Sequence, residues 1–150
     1  MFKLHFLKIL NHRRKKTVNG KRIREKFRQL RRASIVGLLA IRFFQQNPDK
    51  FIGKSEKHAA KVIKNFCRKR GYWQAFPLLV GSGENTSKIH SRPSSRIIRE
   101  GDIIMIDIGL KRASHYLSDH ASDCTRTFYL GNPTPFQEKI HEIVREAHDM

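Results

Sequence analysis

"IDIGLKRASHYLSDHASDCTRTF", residues 106–128, places Asp107, Asp119 and Asp123 in one short span of a chain whose formal net charge is +18. Only 13 of the 150 residues are acidic, so three together call for a reason. Asp107 interrupts the apolar run Ile103, Ile104, Met105, Ile106 and Ile108, where an unpaired carboxylate is costly to bury. A second strand begins just after Asp123, so a hairpin brings Asp107 and Asp123 side by side, with both carboxylates in one pocket. Like charges at that range do not both stay ionised unless a cation neutralises them. A divalent metal does this economically. Oxygen donors favour Mg or Mn, or a mixed site once histidines join. The alternative from the residues alone is a strand-end aspartate that caps a turn or pairs with Lys111 or Arg126.

Outward from that span, "GDIIMIDIGL" (101–110) reads as a strand bounded by glycines, "FPLLVGSG" (76–83) as a short buried strand running into a glycine-broken loop, and "TRTFYLG" (125–131) as a third strand. Upstream, a helix is expected over residues 21–46. Ile35, Val36, Leu38, Leu39, Ile41 and Phe43 form its apolar stretch, and "NPDK" ends it. "FIGKSEKHAAKVIKNFCRKRG" (51–71) predicts a second helix. Ser55 is its N-cap, Glu56 lies in its first turn, Val62, Ile63 and Phe66 face inward, and Gly71 stops it. In "NPTPFQEKIHEIVREAH" (132–148), Thr134 as N-cap, Pro135 as first helical residue and Gln137 completing a capping box predict a final helix. The expected order is helix, helix, three strands, helix.

A length of 150 residues with 39% hydrophobic content allows one modest domain with a genuine core. Its charge is unevenly placed. Residues 1–100 hold 26 Lys and Arg against 5 acids (26 − 5, or +21), and residues 101–150 hold 5 against 8 (5 − 8, or −3). The excess concentrates in residues 1–32, where a basic N-terminal arm (1–20) precedes the domain at 21–150 and the only acid is Glu25. Such a segment attracts nucleic acid, anionic membrane surfaces or acidic partners. The opening "MFKLHFLKIL" is too short and too charged to span a membrane, and no small-residue cleavage site follows it, so a cytoplasmic location is expected. Cys67 and Cys124 suggest neither a disulfide framework nor a zinc cluster.

"SGENTSKIHSRPSSRIIREGDIIMIDIG" (82–109) followed by "SDCTRTFYLGNPTPFQEKIHEIVREAH" (122–148) resembles the pita-bread metallopeptidases: methionine aminopeptidases, Xaa-Pro aminopeptidases, prolidases and creatinase. The likeness is closest to the Xaa-Pro aminopeptidases. It runs from about residue 21 onward, and "FIGKSEKHAA" resembles that family's Gly-x-Thr-Glu stretch. It implies an α+β fold, the N-terminal half of the pita-bread architecture, with helices packed on an antiparallel sheet. It also implies a metal-dependent exopeptidase that removes an N-terminal residue from peptides, using two divalent ions (Mn, Co or Zn). By the same resemblance Asp107 is the first metal-binding aspartate, Asp123 the second, and His90 the histidine that contacts substrate and helps stabilise the reacting carbonyl.

The hairpin is longer than the family's. "SDHA" (118–121) followed by "SDCT" (122–125) reads as a four-residue duplication, which leaves Asp119 as an alternative second ligand, although the flanking Thr-Arg-Thr favours Asp123. The family's other three metal ligands have no counterpart before Met150. The chain is therefore expected to be a truncated first half, with apolar surface left for a second chain or a homodimer to cover. Gly83 and Gly109 read as positions of unusual torsion or close approach. The alternative function is an inactive remnant, or a non-catalytic module whose basic arm binds nucleic acid or acidic partners.

Overall fold

The computed structural model describes residues 20–90, 92–112 and 121–150. Most of the basic arm, and Asp119, lie outside the described residues. Helix α1, Gly20–Gln45, buries Ala33, Gly37, Ala40, Ile41 and Phe44, one stripe at helical spacing. This is not the bulky face that the apolar stretch suggested: Ile35, Leu38 and Leu39 stay 45, 39 and 45% exposed. The small residues win because they let the helix lie close to the sheet. A β-carbon on Gly37 would already sit 3.5 Å from Ile108.

The Asn47 side chain donates to the Phe43 carbonyl at 2.8 Å where α1 ends, and Pro48–Lys50 makes a 3-10 turn. Helix α2, Glu56–Arg68, starts at Ser55, whose hydroxyl accepts from the His58 amide as its capping position requires. Ile63 is fully buried, with Val62 and Phe66 packed against the core. Phe44 stacks on Phe51 with ring centroids 4.0 Å apart and meets Phe128 edge-on at 5.6 Å, tying α1 to the sheet. Gly71, at φ +80°, turns the chain after α2.

Next come β1 (Tyr72–Gln74), β2 (Leu79–Ser82), a 3-10 turn (Gly83–Ser87), β3 (Ile103–Ile108), β4 (Leu110–Arg112) and β5 (Cys124–Tyr129). β2, β3 and β5 form an antiparallel sheet with β3 in the middle, and β1 pairs separately with β4. β3 alternates in burial. Ile104, Ile106 and Ile108 are wholly buried against the helices, while Ile103, Met105 and Asp107 lie on the half-open face. The last helix, α3 (Pro135–Asp149), carries the capping box in full between Thr134 and Gln137. None of its residues is buried, and Phe136, Ile140, Ile143 and Val144 are exposed. The Tyr129 hydroxyl donates to its Gln137 carbonyl at 2.9 Å. Among the described residues no helix is long and apolar enough to cross a membrane.

Candidate active site

The register of the central hairpin decides which carboxylates meet. Asp107 lies opposite Thr125 and Ile108 opposite Cys124, and the pairing continues past the strand ends, where the Ser122 amide donates to the Leu110 carbonyl at 2.9 Å. The Ser122 hydroxyl accepts from the Leu110 amide at 3.2 Å and strengthens that end. Asp107 and Asp123 are thus diagonal neighbours on one face, within reach of each other. Both line a cleft of about 430 Å³ together with Phe76, Pro77, Leu79, His90 and Arg92. The three predicted residues that the structure describes, His90, Asp107 and Asp123, therefore come together.

Burial raises the Asp107 pKa above the ordinary carboxylate value. A hydrogen bond donated by the Thr125 hydroxyl at 2.9 Å opposes the rise, the neighbouring Asp123 adds to it, and His90 pulls weakly the other way. Among the described residues neither aspartate forms an ion pair, so Lys111 and Arg126 do not neutralise the pair. Nor is there, among them, any group of three or more His, Cys, Asp or Glu arranged to hold a metal ion. The pair is chemically suited to a hard divalent cation but supplies only part of a coordination shell.

His90 is the one non-glycine residue with positive φ, 54°, among those described. It sits on a segment pinned at both sides by a residue read from the sequence as a first-turn acid within the Gly-x-Thr-Glu-like stretch, with no site role given to it. Glu56 is completely buried, and its carboxylate accepts from the Ser82 amide and hydroxyl (both 2.8 Å), the Asn85 side chain (3.1 Å), the Ser94 amide (2.8 Å) and the Ser94 hydroxyl (2.7 Å). Burial pushes its pKa up, but these donors, Ser94 foremost, outweigh burial and hold it below the ordinary value. One carboxylate thus ties together residues 82, 85 and 94 around the turn bearing His90. The Arg96 guanidinium, bonded to Asp102 at 2.6 and 3.0 Å, donates to the Ser82 hydroxyl at 2.9 Å and extends the network.

Both flagged glycines have steric reasons. Gly83 has φ +50°, and a β-carbon there would overlap the Arg96 guanidinium; at Gly109 it would overlap the Phe76 ring, which forms one wall of the cleft. Phe76, Leu79 and Arg92 were missed as site residues. The glycine of Asp-x-Gly was the available sign that something large packs beside Asp107.

The model of metallopeptidase family M24 matches residues 25–150. The chain is 34% identical over 96 residues to the Xaa-Pro dipeptidase of Pyrococcus furiosus, an alignment that covers 63% of this chain and 26% of that protein. It superposes on the X-Pro aminopeptidase of Thermotoga maritima MSB8 with a TM-score of 0.72 and 26% identity, over 84% of this chain and 34% of the other. The prolidase of Thermococcus sibiricus gives a TM-score of 0.71 and 30% identity over 84% and 33%. The chain spans about a quarter of that curated relative and a third of those solved structures.

Proposed function

Because this chain belongs to metallopeptidase family M24 and has the N-terminal portion of the pita-bread fold, we propose that it forms the first half of a catalytic unit that removes the N-terminal residue from peptides of the Xaa-Pro type. The carrying observation is the pair of same-face carboxylates, Asp107 and Asp123, unneutralised by any described cation and sharing one cleft with His90. In this reading the pair contributes two ligands to a divalent centre, and the remaining ligands come from polypeptide outside these 150 residues or from a second chain. A cation held there supplies Lewis acidity for peptide hydrolysis, with manganese the first ion to test.

The chain's own residues do the rest. Thr125 orients the Asp107 carboxylate by its 2.9 Å hydrogen bond. Phe76, Pro77 and Leu79 give the cleft an apolar wall that suits an aliphatic or prolyl side chain. His90, on the turn held by Glu56, contacts the peptide at the reacting carbonyl. The two buried free thiols, Cys67 and Cys124, fit a reducing compartment such as the cytoplasm.

Calorimetric titration of Mn into the folded chain, with Asp107→Ala and Asp123→Ala in parallel and sedimentation recording the assembly state, tests this. Saturable binding weakened at least about tenfold in each variant is expected. Absence of binding in folded protein, or binding indifferent to both substitutions, overturns the reading and leaves the motif as a relic.

A further inference from the structure

A second cleft, of about 410 Å³, runs along α2 and adjoins the first, Pro77 and Arg92 lining both. Its rim carries Lys57, Lys61, Lys64 and Arg68 from α2, with Arg92 facing them from the loop beyond His90. The spacing of four, three and four residues sets the helical cations in one stripe, about 16 Å long at 1.5 Å per residue. No carboxylate lines the cleft, and none of the five cations has an ion-pair partner among the described residues. The acid on that helix, Glu56, is buried and fully used by the network around residues 82–94. Five like charges placed around one groove repel one another and raise its affinity for an extended anion.

We propose that this groove is a substrate subsite for acidic peptides: a chain whose N-terminus lies at the Asp107–Asp123 pair continues past Arg92 and lays acidic side chains along the α2 stripe. This rests on the peptidase reading of the first cleft. An extended peptide advances about 3.3–3.6 Å per residue, so about five residues match the stripe. The floor, made by Ala60, Pro77 and Leu78, is aliphatic, and no aromatic ring lines the groove. That favours a peptide over single-stranded nucleic acid, whose sites combine cations with aromatic stacking platforms. The consequence is selectivity among substrates by the charge downstream of the cleaved bond.

The test is fluorescence anisotropy with the 150-residue chain, using two labelled peptides, Ala-Pro followed by four glutamates and Ala-Pro followed by four serines, at low and raised salt. The acidic peptide is expected to bind at least about tenfold tighter, with the difference shrinking as salt rises. The paired change Lys61→Glu and Lys64→Glu should abolish that preference. Arg31→Glu with Arg32→Glu on α1, the same change in charge on exposed residues, should leave most of it. Equal binding of the two peptides, or equal loss in the two variants, overturns the proposal. So does an RNA oligonucleotide of matched charge that binds more tightly than the acidic peptide and is released by the α2 variant. Because the readout needs no hydrolysis and no metal, it separates from the Mn titration: metal binding without peptide preference removes the groove alone, whereas peptide preference without metal binding keeps an acidic-peptide groove but removes the peptidase reading and, with it, the groove's role as a substrate subsite.

Discussion

Asp107, on the open face of the sheet, and Glu56, wholly buried, are carboxylates that answer pH in opposite senses. For Asp107, burial and the Asp123 charge raise the native pKa above 3.8, so the folded state holds its proton more tightly than the unfolded chain does. Its contribution to stability is therefore greatest below that value, falls as pH rises from 3.8 through the native pKa, and stays lowered at neutrality. For Glu56 the native pKa lies below 4.5; its contribution is present above 4.5 and disappears as pH falls through the native value. Asp107→Asn keeps an acceptor for Thr125 while removing the charge. In metal-free buffer it is expected to raise Tm by a few degrees near neutral pH and to do nothing in acid below 3.8, checked by thermal melts across that range. A variant no more stable than the parent at neutral pH contradicts the account. Mn should then reverse the ranking, since only the parent has both carboxylates to gain from a cation.

At the scale of elements, Gly109 joins β3 to β4 with the Phe76 ring against its α-carbon. Gly109→Ala is expected to cost about 1–3 kcal/mol in urea unfolding, and less in a chain that also carries Phe76→Leu, the two changes being non-additive because they share one contact. What the residues foretold follows the same division between local and distant causes. Both helix caps, Ser55 and Thr134, were legible because their partners lie three residues away. β3 was legible as a strand because its apolar run and bounding glycines belong to one segment, whereas its alternation in burial emerged only with the helices on one face. β1 was not, since three residues after Gly71, with Trp73 43% exposed, carry no period and acquire strand character only by pairing with Leu110–Arg112. Glu56 was read as a first-turn acid, its partners at 82, 85 and 94 being invisible until the loop folds over α2. The Asp107–Asp123 pairing lay between these cases, with the acids evident and their shared face dependent on register.

For the molecule as a whole, the core lies between the helices and one face of the sheet, while α3 stands outside it. Phe136, Ile140, Ile143 and Val144 follow one helical stripe on a helix that buries nothing. Ile140→Glu with Val144→Glu is expected to suppress concentration-dependent association in sedimentation while leaving the unfolding free energy of the core, from urea titration, within about 0.5 kcal/mol of the parent. A large loss of stability would mean that α3 is integral to the fold. The bonds between Ser122 and Leu110 clamp the hairpin between the carboxylate pair and the connection that closes it. Below such a clamp, the alignment of Asp107 with Asp123 is insulated from the length of that connection. Lengthening or shortening the sequence between residues 112 and 121 is thus expected to leave the alignment of the two acids in place.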